Sequence, residues 1–343
     1  MKIALDVMGT DYGPSELVMG AVMAVQEYGC DVVLVGDEPT IQDLLKKYGA
    51  ENNPHLSIKH ASQVIDMHEH PAIAVKTKKD ASIVVATDLL RNKECDALVS
   101  SGSTGAAVAS ALFHLGRIKG VGRPAIATPI PSLTGTTVLL DSGAKVDAKP
   151  DNMVQSAIMG SIYSELMIGV KNPRVGLLNI GEEETKGNEL ALATYPLLQR
   201  EKLINFIGNV EGRDINKGTV DVVVCDGFVG NVVLKFAEGL AKAILTMVKG
   251  AIMNGGFFAK LGGLLITPAL RKLMKTLDPE AYGGALLLGV RAPFFICHGS
   301  SKARAIKSAI GVAVHGVESN IVAHITDAIA NQTKIDEVVG HMK

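Results

Sequence analysis

Short apolar runs recur along the chain, and several end in glycine or a polar residue. Ile3–Leu5, Val32–Val35, Leu56–Lys59, Ala97–Ser100, Thr137–Leu140, Val175–Asn179, Val222–Cys225 and Phe294–Cys297 have the length of strands. Between many of them lie helix-like segments: Ser15–Tyr28, Thr40–Tyr48, Ala81–Asn92, Gly105–Gly116, Asp151–Met167 and Glu189–Glu201. Continuous apolar strands alternating with helices predict an α/β fold. The expected form is a three-layer α/β/α sandwich around a mostly parallel sheet. After Asp226 the pattern turns mostly helical, with Val232–Met253 and Pro268–Leu277. This predicts a helical arm over residues 240–280, before a last strand and a C-terminal helix from Lys302. There is no fixed-period repeat and no low-complexity linker, so residues 1–343 are expected to form a single domain.

Composition narrows the class. The chain has 47% hydrophobic residues and 36 glycines, which suits many tight strand–helix turns. Its net charge is −1 and aromatics make up 4%, so neither an electrostatic footprint nor a stacking surface for nucleic acid is present. Cys30, Cys95, Cys225 and Cys297 are scattered without C-x-x-C spacing, as expected of thiols in a reducing cytosol. The N-terminus M-K-I-A-L-D enters a strand directly and has no signal-peptide pattern. No apolar run reaches the roughly 18 residues of a membrane span, so the chain is expected to be soluble or to lie on a membrane surface.

The strand ends carry the candidate chemistry, and in a parallel sheet they would share one rim. Ser101, Gly102, Ser103, Thr104 and Gly105 open a helix whose first amides and hydroxyls suit a phosphate; ordinary N-capping is the competing reading. G-A-K-V-D-A-K-P at 143–150 offers Lys145, Asp147 and Lys149 either to an anion or to a surface turn. N-I-G-E-E-E-T-K-G-N-E at 179–189 packs charge between two glycines, with Lys186 the candidate for phosphate or a developing oxyanion. Asp226, Gly227 and Asn231 end another strand; Asn231 is either an amide donor or a helix cap. Asp6 and Asp11 are polar lining or turn formers on the first strand end. His298-Gly299-Ser300-Ser301 lacks a nucleophile elbow, and capping of the final helix by Ser300 or Ser301 is its plainer reading. H-E-H at 68–70 has metal-like spacing but no third ligand nearby and a following Pro71, so no metal site is assigned. Phe257, Phe258, Leu261, Leu264 and Leu265, with Lys260, Arg271, Lys272 and Lys275, suit either a membrane surface or a dimer interface.

Taken together and in order, these motifs resemble the phosphate acyltransferase family of bacterial phospholipid synthesis. The resemblance rests on D-x-M-G-x-D at 6–11, S-G-S-T-G-A at 101–106, V-D-A-K-P at 146–150, G-E-E-x-x-K-G-N-E at 181–189, C-D-G-F-V-G-N at 225–231, G-G-A-x-L-L-G at 283–289 and H-G-S-S at 298–301. It implies transfer of a fatty acyl group from acyl-[acyl carrier protein] to inorganic phosphate, giving acyl phosphate. It also implies a fold similar to phosphotransacetylase and isocitrate dehydrogenase, a homodimer, and a cytoplasmic protein attached peripherally to the membrane. The product would pass to a membrane glycerol-3-phosphate acyltransferase; no cofactor is implied. Thr10 stands where the family usually has a second glycine, and is expected to be strained if that position needs positive φ. Leu286 and Arg291-Ala292-Pro293 also depart from the family pattern.

Thioester and acyl phosphate are both activated acyl groups, so direct attack by phosphate is expected, without ATP or an acyl-enzyme. Ser101–Gly105 is then the phosphate cradle, and Lys186 and Asn231 neutralise charge and donate to the oxyanion. Asp147, Lys149, Asp226 and His298 line the site. The alternatives are a phosphotransacetylase acting on a short acyl-CoA, a dehydrogenase of related fold, and a non-catalytic membrane-surface scaffold.

Overall fold

Strand side chains alternate between two buried faces, and this alternation sets the layers. Ile3 and Leu5 face one core while Ala4 faces another; Val32 and Leu34 oppose Val33 and Val35 in the same way. A strand buried on both faces needs a helical layer on each side. The computed structural model describes residues 1–277 and 283–340. The first part contains β1 (Lys2–Asp6), α1 (Pro14–Tyr28), β2 (Asp31–Gly36), α2 (Glu38–Lys47), β3 (Leu56–His60), α3 (Pro71–Thr77), α4 (Ser82–Arg91), β4 (Ala97–Ser100) and α5 (Thr104–Ser110), which continues as a wider turn over Ala111–Leu115. Then follow β5 (Ala125–Ser132), β6 (Gly135–Leu140), α6 (Pro150–Tyr163), β7 (Arg174–Asn179), α7 (Glu189–Arg200), β8 (Asn205–Glu211), α8 (Asp214–Lys217) and β9 (Val222–Val224). The last part holds α9 (Gly227–Asn254), α10 (Gly256–Leu277), β10 (Ala285–Leu288), β11 (Phe294–Ile296), α11 (Ala303–Glu318) and α12 (Ile321–Gly340).

All the strands join one sheet in the order β3-β2-β1-β4-β11-β10-β5-β6-β9-β7-β8. Seven of the ten neighbouring pairs are parallel, as expected. The other three sit in the middle: β10 is antiparallel to both β11 and β5, and β5 is antiparallel to β6. Three reversals leave two parallel blocks of opposite sense. The carboxyl ends of β1–β4 and β11 therefore emerge on one long edge of the sheet, and those of β6–β9 on the other. This corrects the expectation of a single shared rim.

β5 escapes a reading by apolar runs because it carries Pro129 and Pro131. Residues 125–127 pair with β10, whereas 128–132 pair only with β6. The prolines thus lie where β5 is a free edge, the place in a sheet where a missing N–H is tolerated. The helical arm is present as α9 and α10, although α9 starts five residues earlier than the apolar pattern suggests, at Gly227. Residues 278–280 of the predicted arm, and the side chains of Arg271, Lys272 and Lys275, lie outside what the structure describes. No helix among the described residues is long and apolar enough to cross a membrane.

Candidate active site

The first edge gathers the ends of β1, β4 and β11. Asp6 is buried at the end of β1 and accepts the Ser100 hydroxyl at 2.8 Å across the β1–β4 pair. The following turns meet above it: a Cβ on Gly102 would lie 3.6 Å from the Met8 carbonyl oxygen and 3.8 Å from Asp6 Oδ2. Asp11 N–H donates to the Gly299 carbonyl at 3.0 Å, which ties the β11 loop to the same group. Ser103 caps α5, its hydroxyl accepting from Ala106 N–H at 3.4 Å. Capping and anion binding are compatible here, because one side chain satisfies only one of the first amides. Ser101 Oγ is buried with no hydrogen-bond partner among the described residues.

His298 Nδ1 pairs with Ser300 Oγ at 2.8 Å, so this serine does not cap the final helix. Neither does Ser301, which is buried; the first amide of α11 at Ala303 instead donates to Glu16 Oε2 at 2.8 Å. Thr10 is unstrained. It is not among the residues with positive φ, and its hydroxyl donates to the Gly13 carbonyl at 3.1 Å.

Burial raises the Asp6 pKa to about 6, against the opposing pull of Ser82, Ser100 and Met8. A carboxyl whose folded pKa lies above its ordinary value destabilises the fold once ionised. Stability is therefore lost as pH rises from about 4 through 6, by a total on the order of 3 kcal/mol. Asp6→Asn is neutral throughout. Its thermal midpoint is expected to exceed the parent's at pH 8 and to lose that advantage by pH 4.5, by calorimetry at fixed chain concentration. An advantage unchanged across that range would show that Asp6 does not titrate there.

The second edge gathers the ends of β6, β9 and β7, which are adjacent strands. Asp141, buried after β6, accepts four backbone N–H bonds, from Ile126, Gly143, Ala144 and Lys145, at 2.9–3.0 Å. Burial still raises its pKa above the ordinary value. The result is a tight loop whose Lys145 carbonyl accepts Gly227 N–H at 3.0 Å, at the start of α9. Burial, then the positive charges of Arg123 and Lys149, hold the Lys145 ammonium below the usual lysine pKa. Asp226 caps α9 by accepting from Phe228 and Val229 N–H, both at 3.0 Å. Both bonds fall on its Oδ1. Asn231 is one turn inside the helix and caps nothing; its amide nitrogen lies 3.2 Å from where a Cβ on Gly143 would stand.

Lys186 sits in the neighbouring loop. Its N–H donates to Glu183 O at 3.1 Å, and its carbonyl accepts Asn179 Nδ2 at 3.0 Å. Gly187 follows at φ 104°, where a Cβ would fall 2.6 Å from Asn179 Oδ1. Only glycine allows that turn to close. The backbone is thus fixed while the Lys186 side chain is exposed. Of the three glutamates, Glu184 accepts from Tyr195 Oη at 3.1 Å, and α7 is capped by Asn188 rather than by any of them.

The predicted residues thus fall into two groups within one chain. Asp6, Asp11, Ser101–Gly105 and His298 share the first edge; Asp147, Lys149, Lys186, Asp226, Gly227 and Asn231 share the second. Four strand spacings separate β4 from β6 in the sheet order, about 19 Å at roughly 4.8 Å per strand. Asp141 and Arg123 are not among the candidates that the strand ends offer. A D-S-G turn after a strand signals the first, but nothing local signals that Arg123 comes close to Lys145. The apolar candidates Phe257, Phe258, Leu261, Leu264 and Leu265 are all exposed, far along the arm from either group.

Residues 1–324 match the family described as "Fatty acid synthesis protein". The phosphate acyltransferase of Heliobacterium modesticaldum is 55% identical over 334 residues, covering 97% of this chain and 99% of that one. The phosphate acyltransferase of Pelotomaculum thermopropionicum is 53% identical over 330 residues, covering 96% and 95%. Among solved structures, a phosphotransacetylase from Streptococcus pyogenes superposes with a TM-score of 0.64 at 15% identity, covering 93% and 94% of the two chains. A 4-hydroxythreonine-4-phosphate dehydrogenase from Klebsiella pneumoniae gives 0.51 at 13% identity, covering 92% and 99%. These two likenesses bear on the fold alone. With half its residues or more shared with phosphate acyltransferases over nearly its whole length, the chain belongs to their fatty acid synthesis protein family and is an acyltransferase.

Proposed function

We propose that the enzyme transfers a fatty acyl group from acyl-[acyl carrier protein] to inorganic phosphate. A phosphate oxygen attacks the thioester carbonyl carbon and the C–S bond breaks. The proton of the phosphate ends on the departing thiol, and acyl phosphate leaves. The observation that supports this reading is that the loops carrying Lys145 and Lys149, Asn231 and Lys186 follow three neighbouring strands, β6, β9 and β7. The cations offset the charge of phosphate, and Asn231 supplies a neutral donor for the tetrahedral oxyanion. Ser101–Gly105 at the start of α5 is a separate candidate seat for an anion, among the other group of strand ends.

Direct attack is favoured by the state of the thiols. All four cysteines are buried. Burial pushes Cys95 up to about 11 and Cys297 up to about 12, and holds Cys225 well above its ordinary pKa. Cys225, the thiol beside the Asp141 loop, thus stays protonated and is a poor nucleophile. Trapping with hydroxylamine tests the function: a long-chain acyl-[acyl carrier protein] plus phosphate should give hydroxamate, and acetyl-CoA plus phosphate much less. Preference for acetyl-CoA would make the chain a phosphotransacetylase, and no phosphate-dependent loss of thioester would leave a non-catalytic scaffold.

On the same reading, acyl phosphate is delivered to a membrane glycerol-3-phosphate acyltransferase, and the far end of the arm touches the bilayer. Phe257 and Phe258 are 74% and 83% exposed, and Leu264 and Leu265 nearly as much. Burying such side chains contributes about 1.5–3 kcal/mol each. Phe257→Ser with Phe258→Ser is expected to lower the fraction co-sedimenting with anionic vesicles at least about tenfold, with turnover on soluble substrate unchanged. Equal sedimentation would remove the arm from the membrane.

A further inference from the structure

We infer that a cavity between α1, α6 and α11 is a second ligand site, for a small uncharged molecule with an apolar body and one hydrogen-bond acceptor. The cavity holds about 310 Å³ and opens to solvent. That is the lower end of the range for small-molecule sites, roughly 300–1,000 Å³. Its walls are Tyr28 of α1, Pro129 of β5, Tyr163, Met167 and Ile168 at the end of α6, and Val312 of α11. Pro129 and Thr128 are successive in β5 and so face opposite sides of the sheet. Thr128 Oγ1 meets Ser142 Oγ at 2.5 Å, in the loop that leads to Lys145. The cavity therefore lies behind the sheet from that loop, apart from the residues placed in acyl transfer.

The backbone around the cavity departs from regular helix to make these walls. Beyond Tyr163, α6 widens into a π-helical turn over Ser164–Ile168. Such turns are rare and occur often at functional sites. This one carries Met167 and Ile168 to the cavity, and its Leu166 carbonyl accepts from His315 Nε2 of α11 at 3.2 Å. Gly311 admits the aromatic wall opposite. A Cβ there would fall 2.6 Å from Tyr28 Cζ, so only glycine lets that ring lie against α11.

The polar groups fix the chemistry of the ligand. Tyr163 is 2% exposed, lines the cavity and makes no hydrogen bond among the described residues. A buried polar group without a partner is an exception in folded proteins. Burial holds its phenol well above the ordinary pKa, so the proton stays on and the hydroxyl is a donor. The other polar side chains of the wall are engaged: Ser308 Oγ donates to the Arg304 carbonyl at 3.0 Å, His315 donates to Leu166, and Tyr28 has the Glu27 carboxylate beside it. One free donor among apolar walls calls for one acceptor on an apolar body. Among the described residues no lysine, arginine, aspartate or glutamate lines the cavity, so a charged ligand finds no counter-ion there. Water satisfies the hydroxyl but leaves Pro129, Met167, Ile168 and Val312 wet, whereas such a ligand serves both.

Two probes of one shape test this, para-fluoroacetophenone and para-fluoroethylbenzene, titrated against the full chain and followed by their fluorine resonances. The ketone has the acceptor oxygen and the hydrocarbon lacks it. Both are expected to bind the parent saturably. In Tyr163→Phe the ketone should lose about 3–10-fold in affinity and the hydrocarbon nothing. The same variant should match or exceed the parental thermal midpoint, because the hydroxyl it lacks has no partner in the free protein. Val312→Phe fills the cavity and should abolish binding of both probes. No saturable binding to the parent would overturn the inference. So would undiminished binding to folded Val312→Phe, an equal change for the two probes in Tyr163→Phe, or a lowered midpoint in that variant. Tyr163→Phe differs from the parent by one oxygen, and decides the matter even where Val312→Phe does not fold. No turnover enters the measurement, so its outcome is independent of the acyl-transfer reading.

Discussion

Replacing Lys186 by alanine is expected to lower turnover about 10²–10³-fold, or about 2.7–4 kcal/mol of transition-state stabilisation, while leaving the fold intact. Both halves of this expectation follow from the loop. The main chain at Lys186 is held by Glu183 and Asn179, and Gly187 closes the turn, so the loop keeps its shape without the side chain. The ammonium itself is exposed and in no ion pair among the described residues, so little stability depends on it. Lys186→Arg keeps the charge but moves it outward on a larger, planar group, and should recover only part of the loss. Steady-state kinetics with acyl-[acyl carrier protein], beside thermal midpoints, separates the two effects. Near-parental turnover in Lys186→Ala would remove this residue from the reaction. A fall in turnover matched by a fall in midpoint would make it structural instead. Asn231→Ala belongs to the same test, with a loss confined to turnover, because nothing in α9 is capped by that side chain.

How much of this was legible in the chain depends on the range of the interaction. Strands such as Val32–Val35 and Val222–Cys225 announce themselves because both their faces are buried and every position is apolar. β5 does not, since Pro129 and Pro131 are permitted only by the absence of a partner on one side, a fact of sheet order. The candidate loops could be found because glycine, aspartate and lysine crowd at the ends of strands. Their grouping could not, because the sense of β6–β9 depends on three reversals in the sheet, one at the β5–β6 pair and two at β10. That strand returns from residues 285–288 to sit between β11 and β5. A short apolar run reveals neither its neighbours nor its sense. The role of Asp141 was likewise hidden: one carboxylate holding four amides is a property of the folded turn, and composition sees only another acid.

Two glycines in α9 are expected to respond to alanine with opposite signs. Gly239 is exposed, with no atom within 4 Å of where a Cβ would stand. Alanine there loses less backbone entropy on folding and should stabilise the helix by about 0.5–1 kcal/mol. Gly230 lies one turn after the start of the same helix, and there a Cβ would fall 1.9 Å from the Asp141 carbonyl oxygen and 2.9 Å from Cys225 Sγ. Neither neighbour can give way. The Asp141 backbone is anchored by its own carboxylate network and by the Cys225 N–H bond to Leu140 O at 2.7 Å, and Cys225 is buried. The helix must lift off the loop instead, which breaks the Gly227–Lys145 bond and carries Asn231 away from Gly143. Overpacking of this kind costs about 1–3 kcal/mol and more when main chain is struck, so Gly230→Ala should destabilise by at least about 3 kcal/mol. Turnover should fall to background even in the fraction that folds, because the amide and the cations no longer converge. Urea unfolding of both variants, beside their turnover, reads the two effects together. A Gly230→Ala enzyme with parental midpoint and activity would mean that the close seat of α9 on the Asp141 loop is not what assembles the second edge.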